Sequence, residues 1–165
     1  MRPSVTEIVI DPGQAFGTGS HPTTRLSLEL MFELDPGGSF ADLGCGSGVL
    51  AIAAAKLGFE PVTAVDSDAA AVAATVANAR DNGVVLDRAE RWDLRRDAPP
   101  PAGTVAANLM RPLLLAIAPL MEPPQALILS GLLDEEAGEA AAVFAPLRES
   151  RRLSDKGWSA LLLER

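Results

Sequence analysis

Several kinds of residue that enzymes and secreted proteins rely on are almost missing from this sequence. Its 165 residues include one cysteine, Cys45, one histidine, His21, and no tyrosine. A single cysteine cannot form an intrachain disulfide, and one cysteine with one histidine supplies few metal ligands, so we expect no metal site. Cys45 is better explained as a small residue in a tight turn than as a nucleophile, because its only possible imidazole partner lies on another segment.

Long apolar runs and basic charge are scarce as well. No apolar run reaches the roughly 18 residues of a membrane span, and no signal peptide is visible, so we expect a cytoplasmic protein without membrane contact. The formal net charge is −8 and the isoelectric point is near 4.6, which does not favour binding to nucleic acid. The same charge suits a basic protein partner, and it is equally well explained as a means of keeping the chain soluble.

Length and composition predict a single folded domain. A chain of 165 residues with 48% hydrophobic content can bury one core. No repeat, linker or low-complexity tract divides it. We therefore expect one domain over residues 1–165.

The sequence is organised around a glycine-rich turn. A short apolar strand begins at Phe40, and it is followed by a turn that ends at Gly48 and has glycine at every second position. An alanine-rich helix is predicted over 49–56. A second strand, 61–65, ends at Asp66. Nucleotide-binding sheets begin with this order: a strand, a glycine turn, a helix, a second strand and an acidic residue. Glycine lets the backbone approach the ligand closely, and the acidic residue can bind ribose hydroxyls.

Two acidic residues indicate which cofactor fits this turn. A dinucleotide site usually reads GxGxxG, whereas the run from Gly44 to Gly48 reads GxGxG. The carboxylate of Asp42, at the end of the first strand, would repel a pyrophosphate and attract an ammonium group. Asp66 follows at near the roughly 20-residue spacing of a ribose-binding acid. S-adenosylmethionine has an amino group, a sulfonium and a ribose but no phosphate, so the residues favour it over NAD.

Two helices are predicted from apolar spacing and capping residues. The first is capped by Ser20 or His21, and its Leu26, Leu30 and Leu34 share one face.

The second of these helices is expected over 69–82. Ser67 or Asp68 caps it, and Val72 and Val76 are expected to face inward.

The rest of the chain alternates between further helices and strands. Helices are predicted over 113–120 and 134–144, and strands over 1–10, 84–86, 104–107, 126–129, 147–153 and 158–163. The run 89–92 extends or follows the strand that begins at 84–86. Such alternation predicts an α/β fold with a Rossmann-like, mostly parallel sheet of seven strands. The last two strands, joined by 154–157, form an antiparallel C-terminal hairpin.

Three polar residues follow predicted parallel strands. Asp42, Asp66 and Asn108 each lie where a strand ends. The carboxyl ends of parallel strands meet at one edge, where ligands bind, so the sequence predicts one site formed by these segments.

With these residues in place, the chain resembles class I S-adenosylmethionine-dependent methyltransferases. It most resembles the catalytic domain of the ribosomal protein L11 methyltransferases, which modify lysine side chains and the amino terminus of a ribosomal protein. The resemblance is carried by the segments 11–13, 15–19, 21–24, 42–48, 107–109 and 130–133, and it covers the chain from about Ile10 onward. It implies S-adenosylmethionine as cofactor and S-adenosylhomocysteine as product.

The resemblance also implies a set of cofactor-binding residues. These are Phe16, Gly17, Thr18, Thr24, Asp42, Gly44, Gly46, Asp66 and Asn108. Thr24 suits the methionine carboxylate, Asp42 the methionine ammonium and Asp66 the ribose hydroxyls. Each has an ordinary alternative, as a helix-start threonine, a turn-forming aspartate and a helix cap. Trp92 or Asp93 is placed to meet adenine, with a plain position at the sheet edge as the alternative.

The implied reaction is in-line attack of a neutral amine on the sulfonium methyl group. Alignment and desolvation are then the main tasks of the protein. Asn108 is the candidate catalytic residue, orienting the amine through its side-chain carbonyl or through the backbone of Leu109, with a plain turn residue as the alternative. His21 fits a loop hydrogen bond better than a general base, and no dedicated base is evident.

The methyl acceptor is expected to be a lysine or α-amino group of a protein, which could be basic or ribosomal. The family carries a further N-terminal domain that recognises its ribosomal substrate, and this chain starts almost at the catalytic domain. We therefore expect either that a partner chain supplies substrate recognition or that the chain methylates something else. Two alternatives stay open, a small-molecule N-methyltransferase and a non-catalytic cofactor-binding subunit. An NAD-dependent reductase is disfavoured by the glycine spacing.

Overall fold

The computed structural model describes residues 21–165, which form one seven-stranded sheet with helices packed on it. The elements in chain order are α1 (Pro22–Phe32), β1 (Phe40–Leu43), α2 (Val49–Leu57), β2 (Val62–Asp66), α3 (Ala69–Asp81), β3 (Arg88–Arg91), β4 (Thr104–Asn108), α4 (Arg111–Ile117), β5 (Ala126–Leu133), α5 (Ala137–Ala142), β6 (Arg148–Asp155) and β7 (Trp158–Glu164). Short 3-10 turns at Ala118–Leu120 and Asp134–Glu136 extend α4 and precede α5. The strand predicted before residue 10 lies outside the described residues, as do Phe16, Gly17 and Thr18.

The strand order is β3-β2-β1-β4-β5-β7-β6. The first five strands of this order pair in parallel, while β7 pairs antiparallel with both β5 and β6. This confirms the predicted mixed α/β sheet with its C-terminal hairpin. The strands β1, β2 and β3 follow one another toward one edge of the sheet, and the chain then returns to place β4 on the other side of β1. A crevice opens at such a switch point, beyond the carboxyl ends of the strands.

Two apolar layers cover the two faces of the sheet. On one face Phe40 and Ile128 pack with the helices α1 and α2, and on the other Leu127 and Leu129 pack with α4 and α5. Side chains alternate between the faces because strand residues have a period of two. The predicted apolar face of α1 is present, although the helix ends at Phe32, so that Leu34 packs on the core from beyond it. Within residues 21–165 no helix is long and apolar enough to cross a membrane.

The third strand begins later than predicted, and β3 overlaps the run 89–92 that was expected to extend or follow 84–86. The expected run 84–86 is irregular, and its Val85 is 84% exposed, whereas β3 begins at Arg88. The backbone N–H of Val84 donates to Ala79 at the end of α3, so these residues lead down from the helix. Asp87 then begins the contact with β2 by exchanging hydrogen bonds with Val62. Since β3 is an edge strand, its own residues carry no apolar signal.

The inward face of α3 also differs from the prediction. Val76 is 41% exposed and Val72 is half-buried, while the residues buried on this helix are Ala71, Thr75, Asn78 and Ala79. The buried polar pair makes hydrogen bonds to the glycine turn, and these contacts outweigh the burial of two valines. Asp68 is the cap, since its carboxylate accepts from the backbone N–H of Ala70 at 2.9 Å.

Truncating α1 at its buried face should destabilise the fold. Leu30 is fully buried, so Leu30→Ala should lower the free energy of unfolding by ~2–5 kcal/mol, measured by urea titration. The matched control is Leu120→Ala, since Leu120 is 48% exposed and its truncation should cost less than about 0.5 kcal/mol. Equal losses in the two variants would contradict the packing of α1 on the sheet.

Candidate functional site

A cavity of about 780 Å³ lies beyond the carboxyl ends of β1, β2 and β4. It brings together every predicted cofactor-binding residue within 21–165, namely Thr24, Asp42, Gly44, Gly46, Asp66 and Asn108. Trp92 and Asp93 also line it. The predicted convergence of separate segments at one edge of the sheet is therefore present, while Phe16, Gly17 and Thr18 lie outside the described residues.

The glycine turn is fixed by close contacts that leave no room for a side chain. A Cβ on Gly44 would lie 2.5 Å from Leu109, and one on Gly48 would lie 2.9 Å from Thr75. Both glycines have positive φ, at 74° and 89°, a conformation that other residues adopt with strain. The turn is thus held against the end of β4 on one side and against α3 on the other.

Two buried polar residues of α3 hold the turn from behind. The hydroxyl of Thr75 donates to the carbonyl of Gly46 at 3.0 Å, and the amide of Asn78 donates to the carbonyl of Ser47 at 2.9 Å. The sequence analysis missed both residues. Their signal is modest, two polar side chains three positions apart in an alanine-rich helix.

Asp42 is a carboxylate with one oxygen satisfied. One oxygen accepts the backbone N–H of Ala51 at 3.1 Å, while the other, Oδ1, has no hydrogen-bond partner among the described residues. Burial raises the pKa of Asp42 to about 7, the hydrogen bond from Ala51 opposes that rise, and the negative charge of Asp66 adds to it. Asp42 is one of the residues that line the cavity, and this unpaired oxygen is itself buried.

The hydroxyl of Thr24 is a second polar group at the cavity, complementary to the carboxylate of Asp42. It lies in the first turn of α1 and is buried, and its hydroxyl has no hydrogen-bond partner among the described residues. The helix start is capped by His21, whose Nδ1 accepts the backbone N–H of Thr23 at 3.2 Å. Because buried polar groups are normally paired, an unpaired hydroxyl and an unpaired carboxylate oxygen on one cavity point to a polar ligand.

Asp66 joins the glycine turn to the start of α3. Its Oδ2 accepts the backbone N–H of Gly46 at 3.0 Å, and its Oδ1 accepts that of Asp68 at 2.9 Å. Each carboxylate oxygen can accept more than one hydrogen bond, so Asp66 keeps acceptor capacity for hydroxyls. The capping alternative does not apply, because Asp68 caps the helix.

The segment after β3 forms one wall of the cavity. Leu94 is buried and lines the cavity between Asp93 and Arg95. The indole N–H of Trp92 donates to the carbonyl of Ala98 at 3.1 Å, and the carboxylate of Asp93 accepts the backbone N–H of Arg95 at 3.0 Å. These bonds keep an apolar surface with polar edges beside Asp66. The sequence analysis missed Leu94, since one leucine between charged residues carries no distinctive signal.

Asn108 ends β4 at the opposite wall. The next residue, Leu109, donates its backbone N–H to the carbonyl of Ser130 at 3.2 Å. Gly131 allows this approach, because a Cβ there would lie 2.6 Å from the carbonyl oxygen of Leu109. The position of Asn108 at the cavity is therefore set by its strand and by the neighbouring β5.

Cys45 does not behave as a nucleophile. It is buried in the glycine turn, its sulfur lies 3.2 Å from the hydroxyl oxygen of Thr75, and burial together with the charge of Asp42 raises the pKa of its thiol. Within the described part of the chain, no group of three or more His, Cys, Asp or Glu side chains is arranged to hold a metal ion.

The chain matches one protein family along almost its whole length. The family model described as ribosomal protein L11 methyltransferase (PrmA) matches residues 2–165. The ribosomal protein L11 methyltransferase of Shewanella halifaxensis is 45% identical over 150 residues, covering 87% of this chain and 50% of the relative. That of Bordetella parapertussis is 46% identical over 163 residues, covering 93% and 51%. The chain thus spans about half the length of the curated relatives it matches.

Solved structures give the same result. The ribosomal protein L11 methylase from Lactobacillus delbrueckii subsp. bulgaricus superposes with a TM-score of 0.81 at 30% identity, covering 94% of this chain and 83% of that one. The tRNA (uracil-54, C5)-methyltransferase of Pyrococcus abyssi, solved with S-adenosyl-L-homocysteine, superposes with a TM-score of 0.70 at 20% identity, covering 99% and 43%. The second likeness shows the fold alone. The family resemblance and the fold predicted from the motifs are confirmed.

The raised pKa of Asp42 predicts a specific pH dependence of stability. Between about pH 4 and pH 7 the native protein holds a proton that the unfolded chain has released, so stability falls as the pH rises through this range. Asp42→Asn keeps an acceptor for Ala51 and removes this titration. The fall in unfolding free energy from pH 4 to pH 7.5 should shrink by roughly 2–4 kcal/mol relative to the wild type.

Urea titrations at a series of pH values measure this difference. Asp81→Asn, at an exposed carboxylate near the end of α3, is the control and should leave the profile parallel to that of the wild type. A profile of Asp42→Asn that also runs parallel to the wild type would contradict the buried, ligand-free state of this carboxylate.

Proposed function

This chain belongs to the ribosomal protein L11 methyltransferase family, and from that membership we propose that it is an S-adenosylmethionine-dependent N-methyltransferase. The acceptor we propose is a lysine or α-amino group of a protein. One observation supports the proposal most directly. Two residues that line the cavity each carry a buried polar atom without a partner among the described residues, Oδ1 of Asp42 and the hydroxyl of Thr24. They match the ammonium and the carboxylate of the methionine part of this cofactor.

The adenosine part fits the other end of the cavity. Asp66 keeps acceptor capacity for the ribose hydroxyls after its two backbone hydrogen bonds. The surface formed by Trp92, Asp93 and Leu94 is a place for the flat adenine ring, with apolar area for stacking and polar edges for hydrogen bonds. Gly44 and Gly46, whose backbones lie at the floor of the cavity, allow close approach to the ribose.

The backbone of the turn favours a ligand without phosphate. A pyrophosphate site needs free N–H groups at the glycine turn. Here the N–H groups of Gly44 and Cys45 donate to the carbonyl of Val65, and that of Gly46 donates to Asp66. That of Gly48 donates within the turn, to the carbonyl of Cys45. With these donors in use and two carboxylates at the same floor, NAD is disfavoured on physical grounds.

The chemistry we propose asks little of the protein beyond alignment. When bound, the cofactor supplies an electrophilic methyl group on a sulfonium. Asn108, at the opposite wall, orients the acceptor amine through its side-chain carbonyl or through the adjacent backbone. A lysine has an ordinary pKa near 10.4, and burial beside a cation lowers it, so the amine can lose its proton without a dedicated base.

We propose a protein as the substrate because the relatives named above are ribosomal protein L11 methyltransferases. The negative net charge of −8 suits a basic ribosomal protein. We further propose that recognition of the whole substrate uses a partner chain or a segment beyond the cavity walls described above.

Transfer of a labelled methyl group tests the proposal. S-adenosylmethionine carrying the label is incubated with the protein and either purified ribosomal protein L11 or a lysate. Label should enter a protein band, and Asp66→Ala should reduce both cofactor affinity and transfer by about 10-fold or more, because a buried pair of hydrogen bonds to the ribose is lost. Asp81→Ala, at an exposed carboxylate, is the control and should retain both.

Three outcomes would contradict parts of this proposal. Label confined to small molecules would replace the protein acceptor with a small-molecule amine. Cofactor binding without transfer, even with added protein substrates, would favour a non-catalytic subunit. Failure to bind S-adenosylhomocysteine in calorimetry would reject the cofactor assignment itself.

Substitution of Asn108 tests whether this residue orients the acceptor amine or only binds the cofactor. Asn108→Ala should lower kcat by about 10²-fold or more, because the amine loses its alignment, while the Kd for S-adenosylhomocysteine changes by less than about 3-fold. Single-turnover transfer and calorimetry measure the two quantities. Equal losses in turnover and affinity would make Asn108 a cofactor-binding residue only.

A further inference from the structure

We propose that the turn of the C-terminal hairpin positions the start of α1, and through it the Thr24 hydroxyl that meets the carboxylate of the cofactor. The positioning residue is Trp158. This inference rests on the function proposed above and adds a role for a part of the fold outside the cavity.

The first turn of α1 touches the hairpin at two points. The ring of His21, the residue that caps α1, meets the ring of Trp158 edge to face, with centroids 5.5 Å apart at 64°. One turn further along, the guanidinium of Arg25 pairs with the carboxylate of Asp155. Thr24 lies between these two contacts in the chain. A shift of the hairpin would therefore move the segment that carries the Thr24 hydroxyl.

The hairpin is itself attached to the end of β5. The hydroxyl of Ser159 donates to the carboxylate of Asp134 at 2.6 Å, and the backbone N–H of Asp134 donates to the carbonyl of Gly157 at 3.0 Å. Ser154 and Ser159 also share a hydrogen bond of 3.0 Å across the two strands. These hydrogen bonds hold the hairpin turn against the end of β5, where the turn contacts the start of α1.

The middle of α1 is attached to the same half of the sheet. The hydroxyl of Ser27 donates to that of Ser130, on β5, at 2.7 Å, and both side chains are fully buried. Asp42 is the third of the four residues of β1, and Asp66 is the last residue of β2; neither strand is a neighbour of the hairpin in the sheet. We therefore expect the hairpin to act on the methionine carboxylate through α1 and not on the ribose at Asp66.

The two contacts of α1 with the hairpin differ in strength. The side chains of Arg25 and Asp155 are 42% and 34% exposed, and ion pairs of this exposure contribute little. The contact between the rings of His21 and Trp158 also removes apolar area from water, and aromatic pairs contribute more than their area alone. We therefore expect substitution of Trp158 to alter the position of the Thr24 hydroxyl.

Two ligands that differ only at the methionine end test the inference. S-adenosylhomocysteine carries the amino and carboxylate groups, whereas 5′-methylthioadenosine lacks both and keeps the adenosine and the sulfur. Trp158→Ala should weaken binding of S-adenosylhomocysteine by about 5-fold and leave binding of 5′-methylthioadenosine within about 2-fold. Thr24→Val, which removes the hydroxyl directly, should show the same selectivity with a loss of about 10-fold. Calorimetry on the full chain measures both ligands.

Conservative variants separate positioning from general damage. Trp158→Phe keeps an aromatic ring against His21 and should recover most of the affinity for S-adenosylhomocysteine. Trp158→Leu keeps apolar volume without a ring, and it serves as the test variant if Trp158→Ala does not fold. Its expected pattern is again a loss confined to S-adenosylhomocysteine.

The outcomes that overturn the inference are distinct from failure of the proposed function. Equal weakening of both ligands by the Trp158 variants would show that the hairpin supports the whole fold and has no selective effect on Thr24. Unchanged binding of both ligands would show that α1 holds its position without the hairpin. If the wild-type chain binds neither ligand, the proposed function is rejected first, and this inference with it.

Discussion

The architecture of the cavity depends on how closely the backbone turn from Gly44 to Gly48 approaches its neighbours. A Cβ on Gly48 would meet the side chain and Cα of Thr75 in α3, and one on Gly44 would meet the end of the Leu109 side chain beyond β4. Thr75 and Asn78 also bind carbonyls of the turn. The turn therefore connects α3 and the end of β4, two segments that are far from it in sequence, at the floor of the cavity.

Much of the fold could be predicted from the sequence because its buried strands, unlike β3 and β6, are short apolar runs bounded by glycine, proline and acidic residues. The parts that were predicted wrongly share one physical cause, which is competition between local apolar content and polar contacts made at a distance. The run 84–86 looks like a strand, yet Asp87 provides the hydrogen bonds that start β3. The valine pattern of α3 predicts an inward Val76, yet Thr75 and Asn78 are buried in its place.

The residues of the site were easier to predict than their supports. Asp42, Asp66 and Asn108 each lie at or next to the last residue of a strand, and parallel strands bring their carboxyl ends to one edge whatever the details of packing. No such rule predicts the residues that hold the site residues in place. Trp158 contacts the start of α1 from the far end of the chain, and that contact depends on the register of the antiparallel strands, which alternation of apolar residues does not determine.

The buried carboxylate of Asp42 links the stability of the fold to its use. One oxygen of this residue lacks a hydrogen-bond partner within residues 21–165, and burial opposes its charge, so the fold bears a cost that an amide or an apolar residue would avoid. A ligand that brings an ammonium group to this oxygen removes part of the cost, and its binding energy then also stabilises the folded chain. A neutral ligand of the same shape gains nothing at this position. Under the proposed function, the carboxylate whose burial costs stability is the group that would select a cationic amino acid moiety, and the hydroxyl of Thr24 would make the same selection for its carboxylate.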